Sequence, residues 1–233
     1  MEPPPRLDRS TARGRRRREE LLVAAREVFE SSGYFDTRVA DIASRAGVSH
    51  GTFYTYFKSK DDVLRALIKR MVDGTFIASA VSRDSTLTAF EQLEASIAAF
   101  MAAYRTSAGM QRILGQVVSF NDDFLAMRLL VRTRFVARIR DSIVSLQARG
   151  IGERDLDPLH AAHALGGMVE DCAFACFVLH QDLDEATAVA TMTRIWARAV
   201  GLSAPAARSS LNRARRQPST LASRPAGAEP SPL

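Results

Sequence analysis

The chain has 233 residues, of which 46 % are apolar and 25 % charged, the balance of a globular protein with room for a sizeable core. No run approaches the roughly 18 uncharged apolar residues of a membrane span, and no apolar h-region follows the N-terminus, so a cytoplasmic protein is expected. Two cysteines are too few for a disulfide framework, and sparse strand signals with recurring Ala and Leu at helical spacing predict an all-α fold.

The net charge of +6 is unevenly spread. Residues 1–79 carry 15 Lys and Arg against 11 Asp and Glu (+4), residues 80–202 carry 12 against 14 (−2), and residues 203–233 carry 5 against 1 (+4). This suits a small basic module joined to a larger, nearly neutral body rather than one polyanion-binding surface along the whole chain.

In chain order, residues 1–13 combine three consecutive prolines with scattered arginine and read as a disordered basic arm. A helix begins near Arg15 with Leu22, Ala25, Val28 and Phe29 as its apolar stripe, and Gly33 is placed to end it in the left-handed conformation. Asp36 or Thr37 is expected to cap a short second helix with Val39, Ile42 and Ala43 inward. Ser49 caps a third helix from His50 to Tyr56, and Ser59, with Asp62 three residues on, caps a fourth. The fourth buries Leu64, Leu67, Ile68 and Met71, with Gly74 near its end. Five further helices are expected near 86–104, 107–118, 121–148, 158–180 and 184–201, followed by a disordered basic tail over 203–233.

Two short helices joined by a Gly-containing turn form a helix-turn-helix, here Arg38 to Phe57. Small Ala43 permits a close crossing, Gly47 supports the turn, Val48 plugs the angle, and Phe53 and Phe57 are expected to face inward. His50, Gly51, Thr52, Tyr54, Thr55 and Tyr56 are then left outside. These are hydrogen-bonding or small residues rather than a Glu/Lys mixture, and Tyr and Thr hydroxyls suit phosphate oxygens. Lys58 and Lys60 lie just beyond.

At these residues the chain resembles the TetR/AcrR family of transcriptional regulators. Asp41-Ile42-Ala43 and the string from Ala46 through Lys60 carry the resemblance, which is dense over 37–60 and extends over roughly 14–74. The resemblance implies base-edge contacts from His50, Gly51 and Thr55, phosphate contacts from Thr52, Tyr54, Tyr56 and Lys60, and a helix cap at Thr37 that also touches the DNA backbone. Ala40 stands where the family often has Arg or another polar residue, and Arg38 replaces a common Thr or Ser, so a contact from the second helix would come from Arg38. The family further implies a helical effector-binding and dimerisation domain over 75–202. It also implies a homodimer on double-stranded DNA at a palindromic operator, and repression relieved by a small-molecule effector. No cofactor is expected.

Other residues admit two readings. Arg13 and Arg15 to Arg18 form either a solvated arm or one that enters a neighbouring minor groove. Arg208, Arg213, Arg215 and Arg216 are solubilising or add counterion release. Cys172 and Cys176, with His160 and His163, have spacings open to metal or redox sensing, but their apolar neighbours make ordinary packed thiols the simpler reading. Arg128, Arg132, Arg134, Arg138 and Arg140 are expected to pair with Asp122, Asp123 or Asp141, leaving one or two to meet a carboxylate or phosphate on a ligand. Eight phenylalanines between Phe76 and Phe177 supply enough aromatic surface to line an apolar cavity. No constellation of catalytic residues is present to support an enzyme. The alternative to a DNA-binding repressor is a small-molecule, metal or redox sensor that acts through protein contacts, its head vestigial.

Overall fold

The computed structural model describes residues 11–80 and 86–202. The readings of residues 1–10 and of the tail over 203–233, with the arginines at 208, 213, 215 and 216, lie outside them. Among the described residues the chain is all-α: α1 (Ala12–Ser32), α2 (Val39–Arg45), α3 (His50–Tyr56), α4 (Lys60–Ala78), α5 (Ala89–Thr106), α6 (Ala108–Val117), α7 (Asp122–Ala148), α8 (Pro158–Phe177) and α9 (Glu185–Ala199). None of these helices is long and apolar enough to cross a membrane.

Side-chain caps fix most helix starts. Thr11 accepts from Gly14 N, Ser49 from Thr52 N, Ser59 from Asp62 N, Asp157 from His160 N and Asp184 from Thr187 N. The second helix starts differently from expectation. Its N-cap is Arg38, whose N–H donates to Asp41 Oδ2 at 2.8 Å, because Thr37 is turned inward instead. Gly33 ends α1 at φ +80° but with ψ 166°, an extended rather than left-handed helical residue. Gly47 adopts φ +62° in the turn between α2 and α3, a conformation that disfavours side chains with a Cβ.

The expectation that Arg13 and Arg15 to Arg18 form an arm is corrected: all five lie within α1. The Thr11 cap starts the helix three residues early, and ion pairs of Arg16 and Arg17 with Glu20, at 3.1 and 2.8 Å, support its first turns.

The first core joins Leu22, Ala25 and Phe29 of α1 with Ile42, Phe53, Phe57, Val63, Leu64 and Ile68. It also takes in Ile113 and Val117 of α6 and Phe124 of α7, so the three-helix head is braced from below as well as by α4. A second core packs α7 on α8 and α9 through Val136, Ile143, Ala162, Leu165 and Ala197. A third joins α5 to α8 and α9 through Ile97, Met101, Val169 and Met192. Small residues on α8 allow close approach there: a Cβ on Gly166 would stand 3.0 Å from Ile139 Cδ1 of α7. The fourth helix passes through Gly74 to Ala78, so the expected division at 74/75 falls inside a continuous helix.

Phe53 is fully buried where α1, α3 and α4 meet. Phe53→Ala is expected to lower the unfolding free energy by about 3–5 kcal/mol, read from denaturant titration.

Candidate functional site

The third helix offers one face to solvent and buries the other. Phe53 is in the core, while Tyr54 is 49 % exposed and His50, Gly51 and Lys58 are also exposed. Thr52 and Thr55 are half-buried at the edge of this face. His50 and Tyr54, four apart, meet edge to face with ring centroids 5.1 Å apart, which orients both side chains outward as a pair. Thr52 Oγ1 lies 2.9 Å from the capping Ser49 hydroxyl, and the Thr55 hydroxyl donates to the Gly51 carbonyl at 3.2 Å. A Cβ on Gly51 would meet nothing nearer than Ser49 Oγ at 3.9 Å. Packing inside the chain therefore does not demand a glycine there. Arg38 is exposed at the start of α2.

Three expected site residues sit otherwise than the sequence suggested. Tyr56 is buried, 7 % exposed, because positions 53 and 56 lie one turn apart on the same helical face. Phe57 joins them in the core only because the chain has left the helix, with φ −135° and ψ 140°. Among the described residues the Tyr56 hydroxyl has no hydrogen-bond partner, and no buried side-chain polar atom lacks one, so that hydroxyl reaches the surface from a buried ring. Thr37 is 2 % exposed and its hydroxyl donates to the Gly33 carbonyl at 2.6 Å, which closes the loop between α1 and α2. Lys60 turns back into the fold. Its Nζ donates to the carbonyls of Tyr34, Phe35 and Thr37 at 2.9, 3.3 and 3.0 Å and lies 4.4 Å from the Tyr34 ring centroid.

Tyr34 closes this network, a part that sequence reasoning missed. Its hydroxyl donates to Asp61, and burial together with that carboxylate pushes the phenol well above its ordinary range. The signal was an aromatic next to a helix-ending glycine, which sequence alone does not distinguish from a loop residue.

A second candidate site lies deeper in the chain. A cavity of about 1370 Å³ opens between α4, α5, α7, α8 and α9, larger than a typical small-molecule site. Phe76, Phe100, Phe135 and Trp196 supply its aromatic wall, with Phe76 and Phe135 edge to face at 5.2 Å. Arg128, Arg132, Arg134 and Arg138 of α7 line it, but not with the expected partners. Arg128 and Arg132 pair with Glu170 at 3.4 and 3.0 Å and Arg134 with Asp73 at 2.8 Å; only Arg140 takes an expected carboxylate, Asp141, at 2.7 Å. Their partners come from other helices, which periodicity along α7 does not reveal.

Cys172 and Cys176 are half-buried against the third core. Burial, and then the neighbouring Cys176, push the Cys172 thiol up from its ordinary value, which favours the protonated form over the thiolate. Among the described residues no three His, Cys, Asp or Glu converge as metal ligands.

Residues 21–67 match the family described as bacterial regulatory proteins, tetR family. The HTH-type transcriptional repressor KstR2 of Mycobacterium tuberculosis is 33 % identical over 129 residues, 55 % of this chain and 60 % of that protein. The chain thus aligns with less than two thirds of that relative. The HTH-type transcriptional regulator EthR of the same organism is 28 % identical over 193 residues, 81 % of this chain and 89 % of its own. Among solved structures, GusR of Salmonella enterica superposes with a TM-score of 0.69 at 18 % identity, covering 83 % of this chain and 99 % of that one. A TetR-like transcriptional regulator from Rhodococcus sp. RHA1 gives 0.62 at 23 % identity, over 78 % and 94 %. At these identities the superpositions establish the shared fold.

Lys60→Met keeps the aliphatic stem but removes three charge-assisted bonds to the α1–α2 loop. It is expected to cost about 1–2 kcal/mol in denaturant unfolding, discounted for partial exposure, whereas a lysine that only awaited phosphate would leave stability unchanged.

Proposed function

The chain carries the N-terminal domain of the TetR family of transcriptional regulators on a TetR-like all-α fold, and from that premise we propose that it is a regulator of transcription. It binds a palindromic operator as a homodimer, represses by occupancy, and is released by a small-molecule effector.

The observation that carries this reading is the outer face of α3. His50, Gly51, Thr52, Tyr54 and Thr55 present hydrogen-bonding or small groups on a helix whose other face is locked in the core. The exposed Tyr54 hydroxyl has no partner within the described chain. Such a surface suits the major groove, with His50, Gly51 and Thr55 toward base edges and Thr52, Tyr54, the Tyr56 hydroxyl, Lys58 and Arg38 toward the backbone. Thr37 and Lys60 serve this interface as positioning residues, since both hold the loop that leads into α2.

A dimer would present two such helices about one DNA turn, ~34 Å, apart or somewhat more. Support for pairing comes from the outward sides of α8 and α9. Leu159 of α8 and Ile195 of α9 are exposed large apolar residues, and Ala164 and Ala186 on the same two helices are small and exposed. The large cavity supports an effector site, and α4, which lines it, also packs into the head. An effector releases DNA only if it prefers the dimer shape that does not fit the operator.

Selection on random duplexes followed by gel shift is expected to return a palindromic consensus whose binding weakens as salt rises. Unselective weak binding would favour the alternative, a sensor that works through protein contacts. Tyr54→Phe is expected to weaken binding to all sequences, by about 1 kcal/mol for one lost hydrogen bond, while His50→Ala alters base preference. If both variants match the parent, this footprint is wrong.

Gly51→Ala separates the fold from the interface. It is expected to raise stability by up to about 1 kcal/mol, because alanine is the better helix former and the position is open, yet to weaken operator binding. Stability and binding that move together would assign Gly51 to the fold.

A further inference from the structure

Among the five arginines of α7, Arg138 stands apart. Arg128, Arg132, Arg134 and Arg140 each have a carboxylate within ion-pair distance. No carboxylate of the described residues pairs with Arg138, although it is the part-buried one. Its Nη1 donates to the carbonyl of Phe76 at 2.6 Å and its Nη2 to Ser79 Oγ at 2.6 Å. Its guanidinium carbon lies 4.2 Å from the Phe76 ring centroid and 5.2 Å from that of Phe135. Burial, with Arg134 nearby, pulls the group down from its ordinary value, yet a guanidinium remains charged at neutral pH. The cavity wall therefore holds a part-buried cation whose partners, among the described residues, are neutral oxygens and aromatic faces.

A buried charge without a counter-ion is costly, and an arriving anion offsets that cost while forming two parallel N–H···O bonds. One singly charged carboxylate balances one guanidinium, whereas a phosphate dianion would bring a second negative charge that no further unpaired arginine of α7 meets, the other four already holding carboxylates. We infer that Arg138 docks the carboxylate of an otherwise apolar effector, whose aromatic or aliphatic body lies against Phe76, Phe100, Phe135 and Trp196. This deepens the effector reading above and rests on it.

The docking has a mechanical consequence. Phe76 belongs to the last turn of α4 and Ser79 is its C-cap, so Arg138 satisfies an end of that helix. Ser79 also donates to the Thr75 carbonyl at 2.7 Å, and its own carbonyl accepts from Ser96 of α5 at 2.7 Å. A carboxylate that takes the guanidinium leaves the Phe76 carbonyl short of its donor and loosens the last turn. The same helix, through Val63, Leu64 and Ile68, holds the head. Anion binding is thus converted into a change at the base of the DNA-binding unit.

Trp196 is the single tryptophan and lines the cavity, so its fluorescence reports occupancy directly. The test titrates the full chain with 6-phenylhexanoate and with the neutral 6-phenylhexanamide. The carboxylate is expected to bind about tenfold or more tighter than the amide, as a charge-assisted hydrogen-bond pair requires. Arg138→Gln is expected to bring the carboxylate down to the amide's affinity and leave the amide unchanged. Should that variant fail to fold, Ser79→Ala takes its place: it removes a competing acceptor, so the carboxylate should bind severalfold tighter and the amide as before.

Equal affinities for the two probes in the parent, no response to either, or discrimination that survives Arg138→Gln would each overturn the assignment, as would unchanged carboxylate binding in Ser79→Ala. Release of a selected duplex is read separately. If the duplex binds but the probes bind alike, the Arg138 assignment alone fails; if no duplex binds, the regulator reading fails while the fluorescence result stands.

Discussion

A seven-residue helix cannot hold itself together in water, and α3 has seven residues. Everything the head presents to a partner depends on how that helix is anchored. Phe53 and Tyr56 supply the anchor from within it and Phe57 from just beyond its end, where the extended backbone turns the ring back into the same core. The Ser49 cap fixes the start. With one face tied down by aromatic burial, the other face, with His50, Gly51 and Tyr54 exposed on it, gains a fixed orientation.

The fourth helix extends this dependence to the rest of the chain. Its first half closes the head with Val63, Leu64 and Ile68, and its second half lines the cavity with Met71, Val72 and Phe76. One rigid rod therefore touches both sites. The rod is clamped at several places along its length: Arg65 to Asp123 at 2.7 Å, Asp73 to Arg134 at 2.8 Å, and the Arg138 contacts at its end. Two of these three clamps belong to the cavity wall. A coupling between cavity and head needs no long relay of side chains here, because the helix itself spans the distance.

How far the sequence could be read follows from the range of the interactions involved. The starts of α3 and α4 were legible because Ser49 and Ser59 each act on a residue three positions away. The helix-turn-helix was legible for the same reason, its small, Gly and aromatic positions lying within twenty residues. Thr37, Lys60 and Arg138 were not, since each is decided by atoms that only folding brings near: the Gly33 carbonyl, the α1–α2 loop, the end of α4. Tyr56 differs on another ground: spacing alone makes Phe53 and Phe57 one helical face, but the helix stops at Tyr56 and the buried face runs through 53 and 56.

Charge follows the same division of labour. The excess of cations at the N-terminal end looked like an arm for DNA, yet Arg16 and Arg17 share Glu20, and Arg18 covers the Phe57 ring at 4.9 Å. Arg45 likewise pairs with Glu27 at 2.6 Å, and Arg70 pairs with Glu19. Much of the head's positive charge is thus engaged in holding helices in register. The face of α3 itself is neutral, apart from Lys58 just past its end. Long-range attraction is sequence-blind and screened by salt, whereas hydrogen bonds from rigidly held neutral groups discriminate by position. A head built this way gains less from general affinity for polyanions and more from geometric fit.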